Sequence, residues 1–190
     1  IGRRHTARDI REAFCTAREV GFACINMDLI AGLPQDSVEG FRDSLEEVLA
    51  LRPENITVHT LAMKKGSRLM EEGGALPSGE ETGRMVDLSL EALEGAGYRP
   101  YYLYRQKYMS GGLENVSWCL PGTENHYNII MMEELQSVLS LGAGGVTKLV
   151  DRSSGRIVRL TNPKYPHDYL AMSAKVLEQK DEILRFYREV

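Results

Sequence analysis

The chain has 190 residues, a formal net charge of −4 at neutral pH, and a composition that is 43% hydrophobic and 26% charged. That is enough apolar material for a globular core, and the acidic balance gives no reason to expect a nucleic-acid partner. No apolar run approaches the roughly 18 residues of a membrane span, no signal peptide is visible, and the start at Ile1 rather than Met reads as a piece of something longer.

Arg3 and Arg4 stand in a basic opening that reads as solvated. Thr6 and Asp9 have the spacing of a capping box. Ile10, Phe14, Ala17 and Val20 then recur at helical spacing up to Gly21, which predicts a helix over roughly 7–20. The run 25–31, INMDLIA, is apolar except for Asp28, and predicts a strand buried on both faces, as in a parallel sheet. A carboxylate in such a strand costs several kcal/mol unless it is paired. Asp28 is therefore either bonded to backbone or arginine, or an acceptor for a ligand hydroxyl. Arg3 or Arg4 can serve as its partner in both cases.

Gly32-Leu33-Pro34 turns the chain, and Asp36 or Ser37 caps a second helix with Val38, Phe41, Leu45 and Val48 on its apolar face. Pro53 ends it. A β-branched strand over 55–62 follows. It contains His59, which reads as structural because no Asp or Glu lies near it in the sequence. After a loop with Lys64 and Lys65, Ser78 and Glu81 open a third helix over roughly 79–94. The stretch 98–109 is rich in tyrosine and positive charge, with a strand in 101–105. It reads first as an aromatic strand packed on helices. The sharper alternative is a wall for a flat anionic ligand, with Arg105 or Lys107 for carboxylates.

Residues 114–119 hold Trp118 in a short strand, and 127–139 form an irregular Met-rich segment. A strand broken by Gly142, Gly144 and Gly145 spans 139–150, where the glycines can let backbone approach a ligand. This is not a GxGxxG motif, so a dinucleotide site is a weak reading. A turn at 151–155 and a return at 156–161 make a hairpin, and a terminal helix runs from about 167 to 190. Strands alternating with helices predict an α/β fold: part of a (β/α) barrel over 1–150, with too few βα units to close the roughly 250-residue barrel, and a hairpin-and-helix extension over 151–190. Cys15, Cys24 and Cys119 fit no metal-ligand spacing. They read as reduced thiols of a cytoplasmic protein, unable to hold an iron–sulfur cluster unaided.

INMDLIAGLPQDS, preceded by GRRH and followed by SLEEVLALRPENITVHTLA, resembles the later half of radical S-adenosylmethionine enzymes of the oxygen-independent coproporphyrinogen III dehydrogenase (oxidase) type. YYLYRQKYM, ENVSWCLPGTENHYNIIMMEE and LGAGGVTKLVD resemble one branch of that family, so the resemblance covers essentially the whole chain. It implies the second half of a TIM-like barrel and a tetrapyrrole substrate. The implied reaction is oxidative decarboxylation of two coproporphyrinogen III propionates to vinyl groups, in porphyrin and haem biosynthesis. In the family a 4Fe–4S cluster cleaves S-adenosylmethionine, and the deoxyadenosyl radical abstracts a propionate hydrogen.

By the same resemblance, Arg3 falls where family members bind the methionine carboxylate and Asp28 where they accept from the ribose hydroxyls. Ala62 falls at a backbone position contacting a second S-adenosylmethionine. All three are expected at or beside carboxyl ends of strands. The family's CxxxCxxC cluster ligands are absent from the sequence, so the chain alone is expected to be inactive. A haem chaperone of the same superfamily and a non-catalytic interaction module are the alternatives. The strand at 25–31, without its preceding neighbour, is expected to present an edge that a second copy covers, giving a homodimer.

Overall fold

The computed structural model describes residues 4–62, 75–104 and 113–189. Within these the chain forms two compact units, Ile1–Asn125 and His126–Val190. The division expected at 150 falls inside a strand, because both arms of the hairpin belong to the second unit.

In the first unit, helix α1 (Ala7–Val20) opens on the Thr6–Asp9 capping box and stops at Gly21, whose φ of 97° suits a residue without a Cβ. Strand β1 (Asn26–Ala31) follows. It ends at Gly32, with φ 84°, where a Cβ would sit 3.0 Å from Thr82 Oγ1. Ser37 caps helix α2 (Val38–Leu51), accepting from the Gly40 amide at 3.1 Å, and Arg52 closes it in the left-handed region. Strand β2 is Asn55–Thr60. Helix α3 (Gly79–Gly95) has the Ser78–Glu81 capping box. Strands β3 (Arg99–Tyr104) and β4 (Asn115–Cys119) complete one four-stranded sheet in the order β1-β2-β4-β3.

The α/β class agrees with the sequence, but the sheet is mixed rather than parallel. β1 and β2 run parallel, joined through α2. β4 is antiparallel to both β2 and β3. Ten residues separate Tyr104 from Asn115, whereas a parallel crossover needs a dozen or more. The chain therefore returns as an antiparallel neighbour and inserts between β2 and β3.

One face of this sheet is the core. Ala31, Ile56, Val58 and Trp118 pack on Phe41, Leu45 and Val48 of α2 and on Met85 and Leu93 of α3. Tyr98 joins them and donates its hydroxyl to the Pro53 carbonyl at 2.6 Å. Strand alternation puts Asn26, Asp28, Thr57, His59 and Ser117 on the opposite face.

The second unit contains helix α4 (His126–Met132), strands β5 (Val146–Asp151) and β6 (Arg156–Thr161) as an antiparallel hairpin, and helices α5 (Pro166–Ala171) and α6 (Ser173–Glu189). Leu149, Leu160 and Phe186 form its core, with Val158 and Ile183 against them. Three expectations are corrected here. The Met-rich segment is partly helical. Gly142 and Gly144 sit in a turn before β5, with φ of 87° and 70°, rather than within a strand. The terminal helix is two helices, interrupted at Met172.

Candidate functional site

The face of the mixed sheet opposite α2 and α3 carries a connected set of polar side chains. Asn26 donates through Nδ2 to Asp28 Oδ1 at 2.7 Å, and Thr57 Oγ1 donates to Asn26 Oδ1 at 3.1 Å. Thr57 and Ser117 hydroxyls lie 2.8 Å apart. With one proton on each hydroxyl, donation runs from Ser117 through Thr57 and Asn26 to the carboxylate. Thr57 and Ser117 are buried, whereas the Asp28 side chain is 58% exposed, so the chain of bonds ends at an open carboxylate.

His59 meets the same carboxylate. Its Nε2 lies 3.6 Å from Asp28 Oδ1, and its Nδ1 lies 3.1 Å from the Tyr104 hydroxyl. The first distance is ion-pair range and longer than a direct hydrogen bond. His59 is the largest influence on Asp28 and holds its carboxyl below the usual value. Burial works the other way, and Asn26 and Thr57 add to the lowering.

Tyrosines flank this face because β3 is irregular. Its pairing with β4 shifts between Pro100 and Tyr102, leaving Tyr101 as an extra residue. A bulge re-aims side chains, so Tyr101 and Tyr102 share the polar face although they are adjacent in sequence. The Tyr101 hydroxyl lies 3.4 Å from Ser117 Oγ, and Tyr102 pairs across from Ser117. Tyr102 and Tyr104 stack at 6.3 Å, while Tyr101 meets Tyr102 edge-on at 4.9 Å. Burial pushes the Tyr102 hydroxyl pKa up.

Of the three cofactor residues expected from sequence, Asp28 lies mid-strand in β1 rather than at its carboxyl end. Its partners are Asn26, Thr57 and His59 rather than Arg4. Arg3 lies outside the described residues, as do Arg105 and Lys107. Ala62 is half-buried, two residues beyond β2, and the Leu61 amide still bonds to the Ala31 carbonyl at 3.0 Å. Asp28 pairs across from Thr57, five positions before Ala62. At about 3.3 Å per residue the two lie roughly 16 Å apart along the strands, so the register does not bring them together.

Sequence alone reads His59 as structural because its acid partner comes from the neighbouring strand. The signal was present as periodicity: Asp28 and His59 occupy polar positions on the same face of two consecutive strands.

The donor set around Asp28 suits hydroxyls rather than metals. A carboxylate offers about four acceptor sites, and Asn26 and His59 converge on one oxygen. Cys15 and Cys24 are exposed and Cys119 is buried. Among the described residues, no three His, Cys, Asp or Glu side chains are grouped to hold a metal ion, and no helix is long and apolar enough to cross a membrane.

No protein-family model matches the chain. The oxygen-independent coproporphyrinogen-III oxidase-like protein HemZ of Bacillus subtilis is 40% identical over 192 residues, covering 100% of this chain and 38% of HemZ. The heme chaperone HemW of the same organism is 29% identical over 119 residues, covering 60% of this chain and 31% of HemW. Among solved structures, the coproporphyrinogen III oxidase HemN of Escherichia coli, a radical SAM enzyme, superposes with a TM-score of 0.63 at 19% identity. That match covers 87% of this chain and 37% of HemN and shows a shared fold. The chain spans less than half the length of each of these proteins. It is a homologue, along its whole length, of the C-terminal part of the oxidase-like protein HemZ, and over about half its length of oxygen-independent coproporphyrinogen III oxidases.

Proposed function

We propose that the chain is the later part of a cytoplasmic radical S-adenosylmethionine oxidoreductase. The whole protein would oxidatively decarboxylate coproporphyrinogen III propionates to vinyl groups in porphyrin and haem biosynthesis. In this reading the chain is a partial (β/α) barrel whose missing half brings the 4Fe–4S ligands, and the chain alone is inactive. The observation that carries it is Asp28: an open carboxylate held ionised on a polar sheet face, in a fold shared with HemN. Such a group is an acceptor for the ribose hydroxyls of S-adenosylmethionine, by the logic that sets an acidic residue on a dinucleotide ribose. Arg3 supplies a bidentate partner for the methionine carboxylate, and the backbone at Ala62 contacts a second S-adenosylmethionine. When bound, the cofactor supplies the hydrogen-abstracting chemistry, while this chain's residues orient it.

The similarity to HemW supports a second reading, a haem-binding protein without dehydrogenation. One experiment separates the two. The full-length protein is reconstituted anaerobically with its cluster and assayed with coproporphyrinogen III for deoxyadenosine and protoporphyrinogen. Formation of both supports the enzyme. Haem binding with no deoxyadenosine overturns it.

A further inference from the structure

Asp28 and His59 are diagonal neighbours on adjacent parallel strands: Asp28 pairs across from Thr57, and His59 pairs across from Ile30. The two side chains differ in exposure, 25% for His59 against 58% for Asp28. His59 is thus held in the sheet while the carboxylate faces outward. Both imidazole nitrogens have partners, the Tyr104 hydroxyl at 3.1 Å and Asp28 Oδ1 at 3.6 Å. A carboxylate facing Nε2 selects the tautomer with its proton there, so Nδ1 accepts from the tyrosine hydroxyl. That assignment follows from the partners around the ring. Tyr104 sits edge-on to the imidazole, with ring centres 6.3 Å apart. Its strand pairs with β4 rather than β2, so this contact reaches across β4 from the edge strand to the inner strand that carries His59.

We infer that His59, locked by Tyr104, is a positioning residue that orients the Asp28 carboxylate and keeps it a pure acceptor for a ribose diol. The inference rests on the reading of Asp28 as the ribose acceptor. Three features of the geometry support it. His59 Nε2 and Asn26 Nδ2 approach the same oxygen, Oδ1, which fixes the carboxylate plane. His59 is too enclosed to be a surface ion-pair partner swinging freely. A protonated Asp28 would present a donor to the diol, and His59 opposes protonation. Among the described residues, the other charged groups bordering Asp28 are Arg11 of α1 and Asp43 and Glu47 of α2, in the groove beside β1. Arg11 is ion-paired with Glu47.

The test uses replacements that keep one nitrogen each. Gln can mimic Nε2, Asn can mimic Nδ1, and Phe keeps neither. S-adenosylmethionine affinity is measured by calorimetry on the cluster-reconstituted full-length protein. Asp28 protonation is followed by the carboxyl carbon shift of the labelled 190-residue chain, with amide spectra checking the fold. His59→Phe and His59→Asn should weaken binding about three- to fivefold, the scale of a partly exposed contact to a charged group. Both should raise the Asp28 titration midpoint, and His59→Gln should restore affinity to within roughly two-fold. Because His59 acts through Asp28, His59→Phe should add nothing in an Asp28→Asn background. An equal loss in both backgrounds, or an unmoved Asp28 midpoint in His59→Phe, overturns the inference. Unchanged affinity in Asp28→Asn sinks the ribose reading beneath it. A loss in Asp28→Asn with none in His59→Phe sinks the inference alone.

Discussion

Arg18 and Glu54 are 36 residues apart in sequence and meet at 2.7 Å, Arg18 Nη2 donating to Glu54 Oε1. The other carboxylate oxygen accepts from the Ile25 amide at 2.9 Å. Arg18 also lies over the Phe14 ring at 5.0 Å and donates to the carbonyls of Phe22 and Arg52. One pair thus joins the end of α1, the start of β1 and the end of α2, fixing how the chain enters the strand that carries Asp28.

Glu54→Ala removes both acceptors and leaves Arg18 partly unpaired. With the Glu54 side chain only 17% exposed, the expected cost is about 1.5–3 kcal/mol. Urea denaturation should show a lower midpoint at unchanged slope. Burial, the largest influence, raises the Glu54 pKa, but Arg18 and the Ile25 amide together outweigh it and leave it lowered. A lowered folded-state pKa contributes stability above the unfolded value that is lost as pH falls. The penalty of Glu54→Ala should therefore be largest near neutrality and shrink below about pH 4.5.

Gly32→Ala should destabilise by about 1–2 kcal/mol from the left-handed backbone alone, with φ at 84°. The new Cβ would also press on Thr82, at 3.0 Å from Oγ1 and 3.1 Å from Cγ2. Combining it with Thr82→Ala removes the contact and should recover part of the loss in thermal melts. Full recovery would contradict a backbone origin.

Asp151 gives the second unit a pH-sensitive group. The Ser154 hydroxyl is the largest influence, followed by the Ser153 hydroxyl and amide, and together they hold its carboxyl down to about 2 from an ordinary 3.8. The Ser153 amide and hydroxyl reach Oδ1 at 2.9 and 2.7 Å, and Ser154 Oγ bonds Oδ2. Stability from a lowered carboxylate is complete above the unfolded value and lost as pH falls through the folded one. The melting temperatures of wild type and Asp151→Asn should differ above pH 4 and converge toward pH 2. A constant difference would contradict the pairing.

Among the described residues β1 pairs on one side, with β2, and its other side should lead to self-association of the isolated chain, the dimer that the reading of a missing barrel half entails. Light scattering on purified chain should give twice 21.3 kDa. A strictly monomeric chain at high concentration, with β1 amides exchanging freely, would contradict it.

Local signals carried much of this fold in the sequence. The Thr6–Asp9 and Ser78–Glu81 caps, the stop at Gly21 and the apolar stripe of Phe41, Leu45 and Val48 all involve residues within one or two helical turns. The misreadings share a cause, namely partners far apart along the chain. The place of β4 between β2 and β3 depends on the length of the β3–β4 connection, not on strand composition. Tyr101 and Tyr102 share a face only because of a bulge, whereas period-2 alternation separates them. His59 lacked an acid in its own segment and found Asp28 across the ladder. Lys148 is buried in β5 because it reaches the Met131 carbonyl at 3.0 Å and Glu134 at 3.4 Å, with Arg159 on the same carboxylate at 2.8 Å. None of these partners is adjacent in sequence.

The irregularity of β3 also governs what kind of assembly the sheet can nucleate. Pro100 has no amide to offer, and the extra residue at Tyr101 distorts the strand, so this margin is a poor template for another chain. β1 carries no such defect. With β1 the more receptive margin of the four-stranded sheet among the described residues, two copies would satisfy each other there about a two-fold axis. In such a pairing the tyrosine bulge would discourage further addition at β3 and favour a closed pair over a filament.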